Sequence, residues 1–149
     1  SILSGSMSSR LFTEVREKRG LCYAVGARYR TLKEYAGISC YAGTTPDKAQ
    51  ETFDVIVEQF NQLRMGITDD EMQRAKVGLK TSLIMQCEST SSRSGGIAGD
   101  YCLLGRVRSL EEIRDKIAAM KVDDITTTLQ ENPFKEFTVV TIGLKEITT

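Results

Sequence analysis

MSSRLFTEVREKRGLCYAVGARYR, residues Met7–Arg30, changes its hydrophobic period halfway through. Leu11, Phe12 and Val15 share one face of a helix that Ser8 or Ser9 can cap and that runs to about Arg19. Glu14 and Lys18 add an i,i+4 ion pair. Gly20 is the natural stop. From Leu21 the period is two: Leu21, Tyr23, Val25, Ala27 and Tyr29 alternate with Cys22, Ala24, Gly26, Arg28 and Arg30, as in a half-buried strand. A helix feeding at once into a strand places the chain among mixed folds.

The pattern continues outward. A polar step over 31–34 leads to a second alternating run over 35–42, which predicts a hairpin. Thr45 as cap and Pro46 at the first helical position open the next helix, whose stripe is Ala49, Phe53, Ile56, Val57, Phe60 and Leu63, ended by Gly66. Thr68 and Glu71 form a capping box for a helix lasting to about Cys87. ESTSSRSGG, residues 88–96, reads as a bend, followed by a helix to Leu104. Ser109 and Glu112 cap another helix, Asp123–Gln130 is a short one, and FTVVTIG, residues 137–143, is a strand by composition. The expectation is an α+β domain with an antiparallel sheet of about three strands and helices on one face. So thin a sheet leaves an unprotected edge, which suggests a missing strand.

Composition removes several function classes. The 149 residues suit one domain, and 20 basic against 20 acidic side chains give no overall pull toward nucleic acid or an anionic membrane. No apolar run has the length of a membrane span. There is no histidine, so a zinc hydrolase site and a Ser-His or Cys-His pair lack their usual imidazole. Cys22, Cys40, Cys87 and Cys102 include no C-x-x-C and are read as buried or half-buried reduced thiols. The compartment is unknown, with the cytoplasm as the preferred expectation.

Local constellations thin out on inspection. Arg10, Arg16, Lys18, Arg19, Arg28 and Arg30 could be a nucleic-acid patch, but Glu14 and Glu17 interleave with them and no stacking platform follows. A solvated amphipathic helix is the better reading. Asp69, Asp70 and Glu71 are explained by helix-dipole stabilisation behind the Thr68 cap. SGS lacks the G-K-[ST] of a phosphate loop, and ESTSSRS has hydroxyls without a base. Arg16 and Tyr23 remain. A helix turning at once into a strand could aim both into one cleft, where a guanidinium fork and a phenol can bind a peptide carbonyl or steady an oxyanion. From spacing alone, a surface Arg and an amphipathic sheet Tyr is the favoured reading.

MSSRLFTEVREKRGLCYAV resembles a signature in the C-terminal half of the pitrilysin/insulinase family of zinc peptidases, in its mitochondrial-processing-peptidase-like branch. The likeness continues through GITDDEMQRAKVGLKTSLIMQCEST, LLGR, SLEEI and the closing strand, and so covers nearly the whole chain. It implies a metallohydrolase-like two-layer α+β sandwich. In the family, an N-terminal half carries H-x-x-E-H and zinc, and the C-terminal half closes over the substrate chamber. The family pattern of an Arg and, seven residues later, a substrate-contacting Tyr falls on Arg16 and Tyr23.

The resemblance therefore implies part of a zinc metalloendopeptidase that acts on a peptide or unfolded protein, with no catalytic or metal-binding residue in this chain. Zinc would come from an N-terminal half or a homologous partner subunit, and neither nucleic acid nor membrane is implied as a partner. The whole of 1–149 would be one domain lacking the family's first strand and most of its first helix. A catalytically inactive partner or structural subunit of the same family is the alternative.

Overall fold

The computed structural model describes residues 1–134 and 136–149. Its element order is a short helical segment with a wide turn at Phe12–Glu17, strands β1 (Cys22–Thr31) and β2 (Ala36–Thr44), then helices α1 (Ala49–Met65), α2 (Asp69–Glu88), α3 (Thr90–Leu104), α4 (Leu110–Ala119) and α5 (Val122–Glu131). The fold is α+β. Residues 137–143 form no strand, so the sheet has two strands among the described residues where about three were expected. The β-prone composition is present, but no neighbouring strand supplies a ladder. The segment lies beside α1 instead, with the Phe137 ring 5.7 Å from that of Phe60.

The opening helix is wider than an α-helix. Lys18 N–H donates to the Thr13 carbonyl, five residues back, at 2.9 Å. The anticipated serine cap is absent: Ser9 is buried and its hydroxyl donates to the Ser6 carbonyl at 2.6 Å. Gly20 ends the segment at φ 57°, a left-handed conformation suited to glycine. The Lys48 ammonium donates to the Gly20 carbonyl at 2.9 Å, tying this turn to the start of α1. Helix α1 begins at Ala49, one turn later than the sequence suggested. Thr45–Lys48 forms a turn closed by Lys48 N–H on the Thr45 carbonyl, so Pro46 precedes the helix.

The core lies between one face of the hairpin and these helices. Leu11 and Val15 are fully buried, and Leu21, Cys22, Val55, Phe60 and Leu63 join them. Val122, Ile125 and Leu129 of α5 close the layer, with Phe134 meeting Phe60 edge to face at 5.1 Å. Helices α2, α3 and α4 extend from this layer and bury little: Met72 is the buried residue of α2, Ile117 that of α4, and α3 has none. The expected bend at 88–96 narrows to Ser89, whose hydroxyl accepts from Ser92 N–H and starts α3. The thiol expectation fails at Cys40 and Cys102, both exposed, because the outer part of the hairpin and all of α3 are uncovered. Among the described residues no helix is long and apolar enough to cross a membrane.

Candidate functional site

Three of the six basic side chains of the opening cluster, Arg10, Lys18 and Arg19, are held in ion pairs among the described residues. Arg10 makes a two-pronged contact with Glu71, Nε to Oε1 at 2.6 Å and Nη2 to Oε2 at 2.8 Å, and also donates to the Gly66 carbonyl at 2.8 Å. Glu71 accepts Thr68 N–H as part of the capping box. The Arg10 guanidinium holds the Glu71 carboxyl down at about 2. Lys18 and Arg19 both bind Glu14, at 2.6 and 2.7 Å, and hold its carboxyl below the usual range. Arg16 differs. Its guanidinium lies 4.9 Å from the Phe12 ring centroid, a cation–π contact, and has no carboxylate partner among the described residues. The side chain is exposed at the end of the wide turn. Burial pushes the Cys22 thiol up, and the charge of Arg16 partly opposes this.

Tyr23 does not follow the simple alternation. In the ladder Cys22 pairs with Thr44 and Ala24 with Gly43, which leaves Tyr23 as the surplus residue of a β-bulge. A bulge re-aims side chains by adding one residue opposite a single partner. Past it, Val25 faces Ala42 and Ala27 faces Cys40, whereas Gly26 faces Tyr41 and Arg28 faces Ser39. The Tyr23 hydroxyl lies 3.5 Å from that of Tyr41, at the long limit of a hydrogen bond. Tyr23 therefore shares the outer face with Tyr41, Arg28 and Arg30, and not the core face of Val25 and Ala27 that alternation predicted.

Arg16 and Tyr23 are both exposed, Tyr23 at 70%. Neither lines the two shallow grooves described below, and among the described residues no hydrogen bond joins them. Two shallow grooves lie elsewhere, one between α1 and the C-terminal segment around Phe53, Val57 and Phe137, the other on α3 around Ile97 and Tyr101. The arrangement is an open donor surface, with a guanidinium on one side of the Gly20 turn and a phenol on the other. Among the described residues no three Cys, Asp or Glu side chains gather where they could hold a metal ion, so a zinc ion does not fit these residues. Sequence reasoning missed Arg10 as a clamp, since its partner lies 61 residues away. It also missed Tyr41 and Gly43, which become visible as neighbours of Tyr23 only once the bulge is known.

Known proteins resemble this chain over most of its length. A family model described as peptidase M16 inactive domain matches residues 1–79. An uncharacterized zinc protease of Rickettsia felis is 35% identical over 127 residues, covering 85% of this chain and 31% of that protein. One of Bacillus subtilis is 34% identical over 126 residues, covering 84% and 31%. The chain thus spans about a third of the length of these relatives. Among solved structures, a peptidase M16 inactive domain from Pseudomonas fluorescens superposes with TM-score 0.74 at 23% identity, over 87% of this chain and 31% of the other. A protease from Helicobacter pylori gives 0.73 at 26%, over 87% and 32%. The opening motif, the α+β fold and the matched model agree: the chain belongs to the peptidase M16 family, the pitrilysin/insulinase group of zinc proteases, and corresponds to its inactive domain.

Proposed function

We propose that this chain forms one wall of the substrate chamber of a zinc metalloendopeptidase, and that Arg16 and Tyr23 contact the peptide near the scissile bond. Zinc and the general base come from an N-terminal half or a homologous partner subunit, and the chain is inactive alone. The observation that carries the reading is the state of the two side chains within a family-matched motif. Arg16 is spared the carboxylate pairing that occupies Arg10, Lys18 and Arg19, and a bulge turns Tyr23 outward. A guanidinium and a phenol held outside the core can donate to a peptide carbonyl when a second half closes over them. The naming of relatives as zinc proteases supports the placement of zinc in the complete protein.

Arg16→Ala or Tyr23→Phe in the complete protein is expected to lower peptide turnover by about a hundredfold, the lower end of the range for losing a transition-state donor. Bound zinc, measured by metal analysis, should be unchanged. Unchanged turnover in both variants would remove the assigned roles. An inactive partner or structural subunit remains the second reading. A chain of complex III2 from Candida albicans shares the fold with TM-score 0.74 at 23% identity, so the fold is compatible with both. Absence of zinc and of peptide turnover in the complete wild-type protein would favour that subunit reading.

A further inference from the structure

The bulge that turns Tyr23 outward does not by itself fix where the phenol comes to rest. Its ring lies across the neighbouring strand, over the α-carbon of Gly43. A methyl group added at Gly43 would fall 2.5 Å from the Tyr23 hydroxyl oxygen and 2.7 Å from Cε1, well inside van der Waals contact. Gly43 is buried although it belongs to the outer face, consistent with the tyrosine lying over it.

Glycine is not required here by the backbone. The positive-φ glycines are Gly5, Gly20, Gly66 and Gly105, and Gly43 is not among them. A strand glycine with ordinary dihedrals costs conformational entropy and packs no side chain, so its usual reason is close approach of another group. Gly37 has nothing within 4 Å of the space a side chain would take, and Gly26 only the Ser4 hydroxyl at 3.6 Å. Of the three strand glycines, Gly43 alone has that space filled. The second support is Tyr41, two residues earlier on β2 and on the same face, with its hydroxyl 3.5 Å from that of Tyr23. The Tyr23 hydroxyl beside it pushes the Tyr41 phenol above its ordinary value.

We propose that Gly43 is a positioning residue for Tyr23: its missing side chain forms the floor of a seat, closed by Tyr41, that holds the phenol in one place on the outer face of the hairpin. This inference rests on the substrate-contact role proposed for Tyr23 and extends it to the residues that set its geometry. The clash in Gly43→Ala involves only the outer end of the tyrosine ring, so the ring is displaced and the β1–β2 ladder keeps its register. A displaced donor loses alignment with the reacting group, where a misplacement of about 1 Å can cost on the order of a hundredfold in rate.

The test uses the complete protein labelled with 3-fluorotyrosine, its fluorine resonances assigned through Tyr23→Phe and Tyr41→Phe. Gly43→Ala is expected to move the Tyr23 resonance and to lower peptide turnover about tenfold or more. In a Tyr23→Ala background, Gly43→Ala should change turnover less than about twofold, because no ring remains to be displaced. An unmoved Tyr23 resonance overturns the seat. Equal loss of turnover in both backgrounds overturns it as well, since Gly43 would then act through something other than Tyr23. If Tyr23→Ala lowers turnover but Gly43→Ala does not, the positioning role falls while the substrate contact stands. If neither Tyr23→Phe nor Tyr23→Ala affects turnover, the substrate contact itself falls, and the resonance alone still decides whether Gly43 seats the ring.

Discussion

The hairpin layer and the α2–α4 arm are built from similar proportions of apolar residues, yet the layer encloses far more of them. In the layer, Leu11, Val15, Phe60 and Leu63 are buried against one another. In the arm, Val77, Ile84, Met85, Ile97 and Leu104 are exposed. Polar links cross the arm. Arg108 binds Asp100 through Nη2 at 2.6 Å and Nε at 3.0 Å, Arg106 binds Glu112 at 2.6 Å, and Lys76 donates to the Ala118 carbonyl at 2.9 Å. Dispersion and desolvation therefore stabilise the layer, whereas the arm has caps and surface ion pairs, each of which contributes little. The contrast teaches that helix formation and core formation are separable: α3 has a cap and a glycine stop, at Ser89 and Gly105, but no buried residue.

The most demanding test of that contrast removes the centre of the layer. Phe60→Ala deletes a ring that is 4% exposed and touches Phe134 and Phe137, and should cost about 3–5 kcal/mol in urea unfolding. A loss below about 1 kcal/mol would mean that the layer is not the stable unit. The join between the regions comes next. Arg10 reaches from the opening helix to the first turn of α2, and Arg10→Ala should cost about 2 kcal/mol, with faster hydrogen exchange at the start of α2.

The same join has a pH signature. The folded Glu71 carboxyl titrates at about 2, below its ordinary 4.5, so its stabilisation is complete above that ordinary value and is lost as pH falls toward 2. The stability gap between wild type and Glu71→Gln should close over that window. A gap that persists at pH 2 would point to packing rather than charge. The smallest effect belongs to the arm. Ile97→Ser on α3 should change stability by less than about 0.5 kcal/mol, and a larger loss would show that its apolar face is covered in solution.

Much of this division was legible in the sequence, since it rests on local chemistry. The Gly20 stop, the Thr68–Glu71 capping box and the Ser109 cap act within four residues, and the structure contains each of them. The paired strands follow from alternation. The features that could not be read required either a distant partner or a break in period. Residues 137–143 have strand chemistry, but strand formation needs a hydrogen-bonded neighbour that composition cannot provide. Arg10 was one basic residue among six until Glu71 was seen against it. At the candidate site, Arg16 and Tyr23 were picked out by resemblance, and spacing alone favoured an ordinary surface pair. Tyr23 also sits on the face opposite to the one alternation assigned, since a period-two reading has no means of registering a surplus residue.

The wide turn and the bulge together amount to a double phase slip. Each adds one residue to a regular repeat, the first around Arg16 and the second at Tyr23, with the Gly20 corner between them. Neither slip alters the hydrophobic content that drives the core to close. Each instead rotates the chain on its C-terminal side relative to the chain on its N-terminal side. A regular α-helical turn would advance Arg16 by a different angle, and an unbulged strand would return Tyr23 to the inner face. The chain thus encodes orientation in its count of residues, independently of their identity. Around Gly20, a one-residue deletion is for that reason a more severe change to this surface than most substitutions, even where the deleted side chain touches nothing.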